Sequence, residues 1–231
     1  MNIIPLEFSI VIVGEDCNPT ILNPDFLKYR NIVPEDWNWS FDGAPITTPA
    51  FAMVAYDSGV TIRVEPNRVQ MTDSRSVEHV AESPVLTVAK KYIETIPHVR
   101  YTAVGLNFRR IVEMENPEGF LKDRFLKSGP WSQNGESPQS LGLRLFYPYE
   151  SGQMTFSMEP AVVERRQLDR REQVRGVMVH ANYHRDCGEY PADRIAQEYI
   201  DRAPADEEHL VRIFGLLLTD TVQPPQSTGN S

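Results

Sequence analysis

Asn107, Arg109 and Arg110 stand together in one stretch of this chain, and Asn182, His184 and Arg185 stand at the same spacing in another. Amide, imidazole and guanidinium donors in such a pattern can grip an anionic or polar ligand. If the two stretches are copies related by a pseudo-two-fold axis, their donors line one shared groove, the kind of place where ligands bind. The plainer alternative puts them on the wet face and at the ends of two strands, with each Arg paired to a carboxylate.

Other chemistry is less well supported by spacing. His180 and His184 share one side of a strand with Cys187 nearby, but strand positions four apart are about 13 Å apart, too far for one ion without a bend. No metal site is therefore expected. Ser58 and Ser151 precede glycines in turns, and neither stands in a nucleophile elbow. The glycines form no phosphate loop or dinucleotide fingerprint, so no cofactor is expected. Trp37, Trp39 and Phe41 lie in a Pro-, Asp- and Asn-rich loop over 31–49, and Trp131 opens a second polar loop. Aromatics so placed either anchor a partner or cap the local core.

These residues must be positioned by elements that occur twice. Asn23-Pro24-Asp25 with Phe26-Leu27-Lys28 returns as Asn116-Pro117-Glu118 with Phe120-Leu121-Lys122, Gly119 being the inserted residue, and each run reaches a tryptophan, Trp37 or Trp131. Tyr56-Asp57-Ser58-Gly59 returns as Tyr149-Glu150-Ser151-Gly152, and Glu65-Pro66 as Glu159-Pro160. Landmarks kept in order at a nearly constant offset predict a duplicated half-domain rather than a solenoid, whose units run about 20–50 residues.

Period-two alternation predicts strands over 6–13, with Phe8, Ile10 and Ile12 on one face, and over 101–112, with Val104, Leu106 and Phe108 on one face. It predicts a meander over 51–72 turning at Gly59, which supplies a positive φ. Strands are also predicted over 141–147, 153–158 and 174–184; the last ends Ala-Asn-Tyr-His-Arg, similar to Leu-Asn-Phe-Arg-Arg at 106–110. Asn23 and Asn116 read as helix caps followed by proline, Ser83 as the cap of a helix to 96, and two more helices close the chain over 191–202 and 206–220. The 83–96 helix has no evident counterpart in the second half. The Arg-rich run 164–172 carries four arginines among three acids and reads as a solvated helical or loop face.

The fold class expected is α+β, internally duplicated: two similar halves of antiparallel sheet packed with helices, residues 1–98 and 99–222, closed by the two C-terminal helices, with a mobile tail over 223–231. A net charge of −9, from 32 acidic and 23 basic residues, argues against a surface that tracks nucleic acid. With 41% hydrophobic and 24% charged residues the chain reads as globular. Two cysteines without motif spacing fit a reducing compartment, and the N-terminal apolar run is too short for a signal peptide or a membrane span. A cytoplasmic location follows.

The order of elements, together with Val104-Gly105-Leu106-Asn107-Phe108-Arg109-Arg110, resembles a sporadically distributed family of uncharacterised bacterial proteins with two α+β halves. The resemblance implies the fold and a bacterial source, and no activity. The function expected is a non-catalytic binding or assembly subunit that acts through protein–protein contacts in a bacterial cytoplasm, with a homo-oligomer compatible with the sequence. The alternative is a hydrolase with its site in the groove between the halves.

Overall fold

A computed structural model describes residues 2–75, 77–133, 135–167, 170–188 and 191–218, with side chains at all of them except 165–167 and 170–171. The strands are β1 (Asn2–Glu15), β2 (Ile46–Thr47), β3 (Ala52–Ala55), β4 (Val60–Glu65), β5 (Arg68–Asp73), β6 (Arg100–Glu113), β7 (Leu143–Tyr149), β8 (Gly152–Gln167) and β9 (Arg170–Asp186). The helices are α1 (Pro24–Tyr29), α2 (Val85–Thr95), α3 (Pro117–Phe125), α4 (Ala192–Asp201) and α5 (Ala203–Leu218). The protein is α+β. All nine strands join one antiparallel sheet in the order β2-β3-β4-β5-β1-β6-β9-β8-β7.

One face of that sheet is dry. Phe8, Ile10 and Ile12 of β1, Leu106 and Phe108 of β6, Ile62 and Val64 of β4 and Val179, Ala181 and Tyr183 of β9 are buried in one core. Every helix adds to it: Leu27, Val88 and Tyr92, Leu121, Ala196 and Ile200, and Leu210 and Phe214. Strand alternation sends the intervening residues to the opposite face. There Thr61, Gln70, Thr72, Val11, Asn107, Asn182 and Thr155 are only half-buried, and Arg63, Arg109, His180 and His184 are exposed. Near one end of this open face Ile4, Ile111 and Val174 make a small second cluster with Leu6 and Val163. Ile4 reaches it because the ladder slips between Pro5 and Glu7, and the extra residue of that bulge inverts the parity of the strand.

Asn23 Oδ1 accepts from Phe26 N at 2.9 Å, and Asn116 Oδ1 from Gly119 N at 3.0 Å, so both caps form as expected. Ser83 does not cap α2: its hydroxyl donates instead to the buried Asp73 carboxylate at 2.7 Å, and Pro84 takes the cap position. Asp73 also accepts three bonds from Arg75, two from its guanidinium and one from its backbone N–H, so a buried acid outcompetes a helix end for the hydroxyl.

The Arg-rich run is not a helical or loop face. Its described residues, 164–167 and 170–172, lie in β8 and β9, which pair as far as Gln167↔Arg170, beyond the end of the β6 ladder at Glu113↔Gly176. The 31–49 loop contains a 3-10 turn, Glu35–Trp37, and the short edge strand β2. The second closing helix starts at Ala203 rather than near 206. The tail expected to be mobile falls outside the described residues, and no described helix is long and apolar enough to cross a membrane.

Candidate functional site

Two rows of side chains cross the open face through β1, β6, β9, β8 and β7. The register sets Ser9, Asn107, Asn182, Thr155 and Phe146 in one row and Glu7, Arg109, His180, Ser157 and Arg144 in the next. Between them lies a cleft of about 470 Å³ lined by Asn107, Arg144, Thr155, Ser157, His180 and Asn182. Its floor is an amide relay: Asn182 Nδ2 donates to Asn107 Oδ1 at 2.7 Å, and Asn107 Nδ2 donates to the Ser9 carbonyl at 3.5 Å. Gly105 makes room for it, since a Cβ there would stand 3.1 Å from Asn182 Nδ2.

Arg144 lines the cleft, and Arg109 stands beside His180 in the same row, opposite Glu7. Partial desolvation, then the charges of Arg109 and Arg144, hold the His180 imidazole below its ordinary pKa, while Glu7 pulls the other way. The Arg144 guanidinium lies over the ring of Phe146, 5.2 Å from its centroid, and Phe146 is itself exposed at the rim.

Of the six residues singled out for the groove, Asn107, Arg109, Asn182 and His184 reach this face. His184 is exposed, with Nε2 3.4 Å from Asp186 Oδ1. Arg110 and Arg185 do not reach it. Their parity turns them to the helix side, where α5 meets them with consecutive acids: Arg110 pairs with Glu207, and Arg185 makes a two-pronged bond to Asp206. Glu207 also accepts from Val80 N at 2.9 Å. Around Arg185 stand Tyr149, Tyr183 and Tyr199, with ring centroids 5.2, 5.9 and 5.7 Å from its central carbon. Glu150 bridges Arg185 and Arg202. Burial pushes the Tyr149 phenol up to about 12. The two similar pentapeptides are antiparallel cross-strand neighbours, Asn107 facing Asn182.

The aromatic loop builds a separate cleft of about 440 Å³ lined by Pro24, Lys28, Pro34, Glu35, Trp39, Phe41, Tyr56 and their neighbours. Trp37, Trp39, Tyr56 and Phe41 follow one another at centroid spacings of 4.5, 5.3 and 5.5 Å. Trp37 and Trp39 are half-buried, whereas Phe41 is 48% exposed. Trp131 is 47% exposed and lies against its own loop at Gly129. Among the described residues no three His, Cys, Asp or Glu side chains are placed to hold a metal ion, and Cys17 and Cys187 are buried free thiols.

Arg144, Thr155 and Ser157 carry no sequence mark. Alternation in their strands is visible, but only the pairing of β7, β8 and β9 brings them beside Asn182. The chain matches no protein-family model and no curated protein.

Proposed function

We propose that the protein is a non-catalytic binding subunit that holds an extended, proline-containing, basic segment of a protein partner in the Trp39–Phe41–Tyr56 cleft. The observation that carries this reading is the aromatic ladder, in which Tyr56, Trp37 and Trp39 pack on the core and the last ring, Phe41, is left exposed. Flat aromatic and prolyl walls suit a polyproline II segment, which is already extended and loses little entropy on docking. Asp25 and Glu35 line the cleft and suit a cationic flank. The Lys28–Glu35 ion pair at 2.7 Å is exposed, so a ligand arginine can replace it at little cost.

The subunit is further read as an internal duplication, in keeping with the resemblance to bacterial two-half proteins and with a cytoplasmic setting. Support comes from the sheet order, which runs β1-β5-β4-β3 outward on one side of the β1/β6 pair and β6-β9-β8-β7 on the other. The two Asn-capped helices follow β1 and β6, the two Ser-Gly turns join β3 to β4 and β7 to β8, and α4 follows β9 as α2 follows β5.

Tryptophan fluorescence titrated with proline-rich peptides, with and without arginine flanks, tests the binding reading. Basic peptides should shift the emission. Phe41→Ala should weaken them about tenfold, about 1.4 kcal/mol, at unchanged melting temperature. No response to any peptide, together with no partner crosslinked from position 41, would remove it. The rival hydrolase reading draws on His180, held neutral as a general base requires and set opposite Ser157. Ester or phosphoester turnover abolished by His180→Gln would favour it.

A further inference from the structure

The open-face cleft lies away from the aromatic one and has different chemistry. Its apolar content is one rim ring, Phe146, and its walls are two amides, two hydroxyls, an imidazole and one arginine, Arg144, with Arg109 standing beside His180 in the same row. A polar sheet face needs no more than solvated Thr, Ser and Asn to stay wet, so the arginines are what require an account.

Among the described residues neither Arg109 nor Arg144 has a carboxylate within 4 Å. This sets them apart from Arg63, which shares the face and pairs with Glu65 at 2.6 Å. It also sets them apart from Arg110, Arg175 and Arg185, each held by an acid. In a chain with nine more acidic than basic side chains, cations with no acid in contact beside one cleft favour an anion there, even with Glu7 next to Arg109 at the far end of the row. His180 lies between them in the same row, one strand from Arg109 and two from Arg144.

From this arrangement we infer that the open face binds a phosphorylated small molecule, the phosphate held by Arg144, His180 and Arg109 and the body laid along Asn182, Asn107 and Thr155 toward Phe146. One bidentate arginine saturates a carboxylate, whereas three separate cationic or proton-donating groups match the several oxygens of a phosphate monoester. The volume is within the range of small-molecule sites and far exceeds what bare phosphate fills, which calls for an organic body. The amide relay supplies that body with fixed partners. Asn182 spends an N–H on Asn107, and no hydrogen bond from the described residues reaches its own Oδ1, which leaves an acceptor for a ligand hydroxyl or amine. Thr155 and Ser157 add hydroxyls on the facing strand, and Phe146 offers a ring face at the distance of the neighbouring row, about 7 Å along the strand.

Calorimetric titration of the full chain with AMP, ribose 5-phosphate, adenosine and benzoate tests this inference. AMP and ribose 5-phosphate should bind, while adenosine and benzoate should bind at least about tenfold more weakly. Arg144→Gln and Arg109→Gln should each weaken the phosphorylated probes about tenfold or more, and Arg63→Gln should leave them unchanged. Both arginines are exposed and, among the described residues, have no carboxylate within 4 Å, so the variants should melt with the parent. Failure of both phosphorylated probes to bind would overturn the inference. So would equal binding of adenosine and AMP, or binding unaltered in Arg144→Gln and Arg109→Gln. The peptide-binding reading stands or falls separately, since Phe41→Ala lies outside this cleft.

Discussion

Arg185 sets both prongs of its guanidinium against Asp206, Nη1 to Oδ2 at 2.8 Å and Nη2 to Oδ1 at 2.6 Å, with 1% and 0% of the two side chains exposed. Burial pushes the Asp206 carboxyl up against the pull of Arg185. Breaking such a pair strands a charge out of water, whereas replacing both partners by apolar groups removes the charge altogether. Arg185→Met alone should therefore cost about 3–5 kcal/mol, and Arg185→Met with Asp206→Leu should recover most of it. Urea unfolding of the two singles and the double checks this; additive losses would mean that the pair is not coupled.

The two asparagine caps should each be worth about 1 kcal/mol, measured as Asn23→Ala and Asn116→Ala. Gly119→Ala gives a sharper test. Alanine favours a helix over glycine by about 0.8–1 kcal/mol, but its Cβ would stand 2.2 Å from Asn116 Nδ2 and displace the cap. In the parent chain gain and loss should nearly cancel; in the Asn116→Ala background Gly119→Ala should stabilise.

Gly59 and Gly152 share the letters of a turn and differ in their work. Gly59 holds φ at +82°, as the sequence suggests, but in the second turn the positive φ of 50° falls on Glu150. Gly152 is needed for space: a Cβ there would lie 2.0 Å from the His184 carbonyl oxygen. Gly59→Ala should cost about 1–2 kcal/mol from left-handed strain, and Gly152→Ala more, because backbone must move. Melting temperatures of the two variants rank them.

Two histidines should make the fold acid-sensitive above the carboxylate range. Desolvation and neighbouring arginines lower the pKa of His180 and His209 in the folded chain. A group whose folded pKa is depressed resists the proton that the unfolded chain accepts. Its contribution is therefore full above about pH 6.5 and falls as pH drops through that value toward the folded pKa. Stability should decline between pH 7 and 5, and His180→Gln with His209→Gln should flatten that slope while leaving the decline below pH 4.5. Urea midpoints across pH 4–8 provide the comparison.

What could be read from the residues alone follows the reach of each signal. Alternation placed Ile10, Ile12, Leu106 and Phe108 on the buried face, and the Asn-Pro pairs marked two helix starts, because period and capping are local. Register is not local. The similar spacing of Asn107, Arg109, Arg110 and Asn182, His184, Arg185 suggested one groove, yet strand parity divides each set between the two faces. Asp206 and Glu207, which hold the buried arginines, are ordinary acids at the start of a helix until that helix is docked. Arg144 joins the cleft only through a pairing that crosses three strands.

The long β1/β6 ladder, from Asn2↔Glu113 to Glu15↔Arg100, has a bearing on how the chain can be cut. A fragment ending between α2 and β6 would bare the full hydrogen-bonding edge of β1, and its complement would bare that of β6. Unprotected edges of that length recruit other strands. Separately expressed fragments should self-associate or aggregate and then form a soluble heterodimer on mixing. A circular permutant opened at 97–99 keeps both strands in one polypeptide and should stay monodisperse.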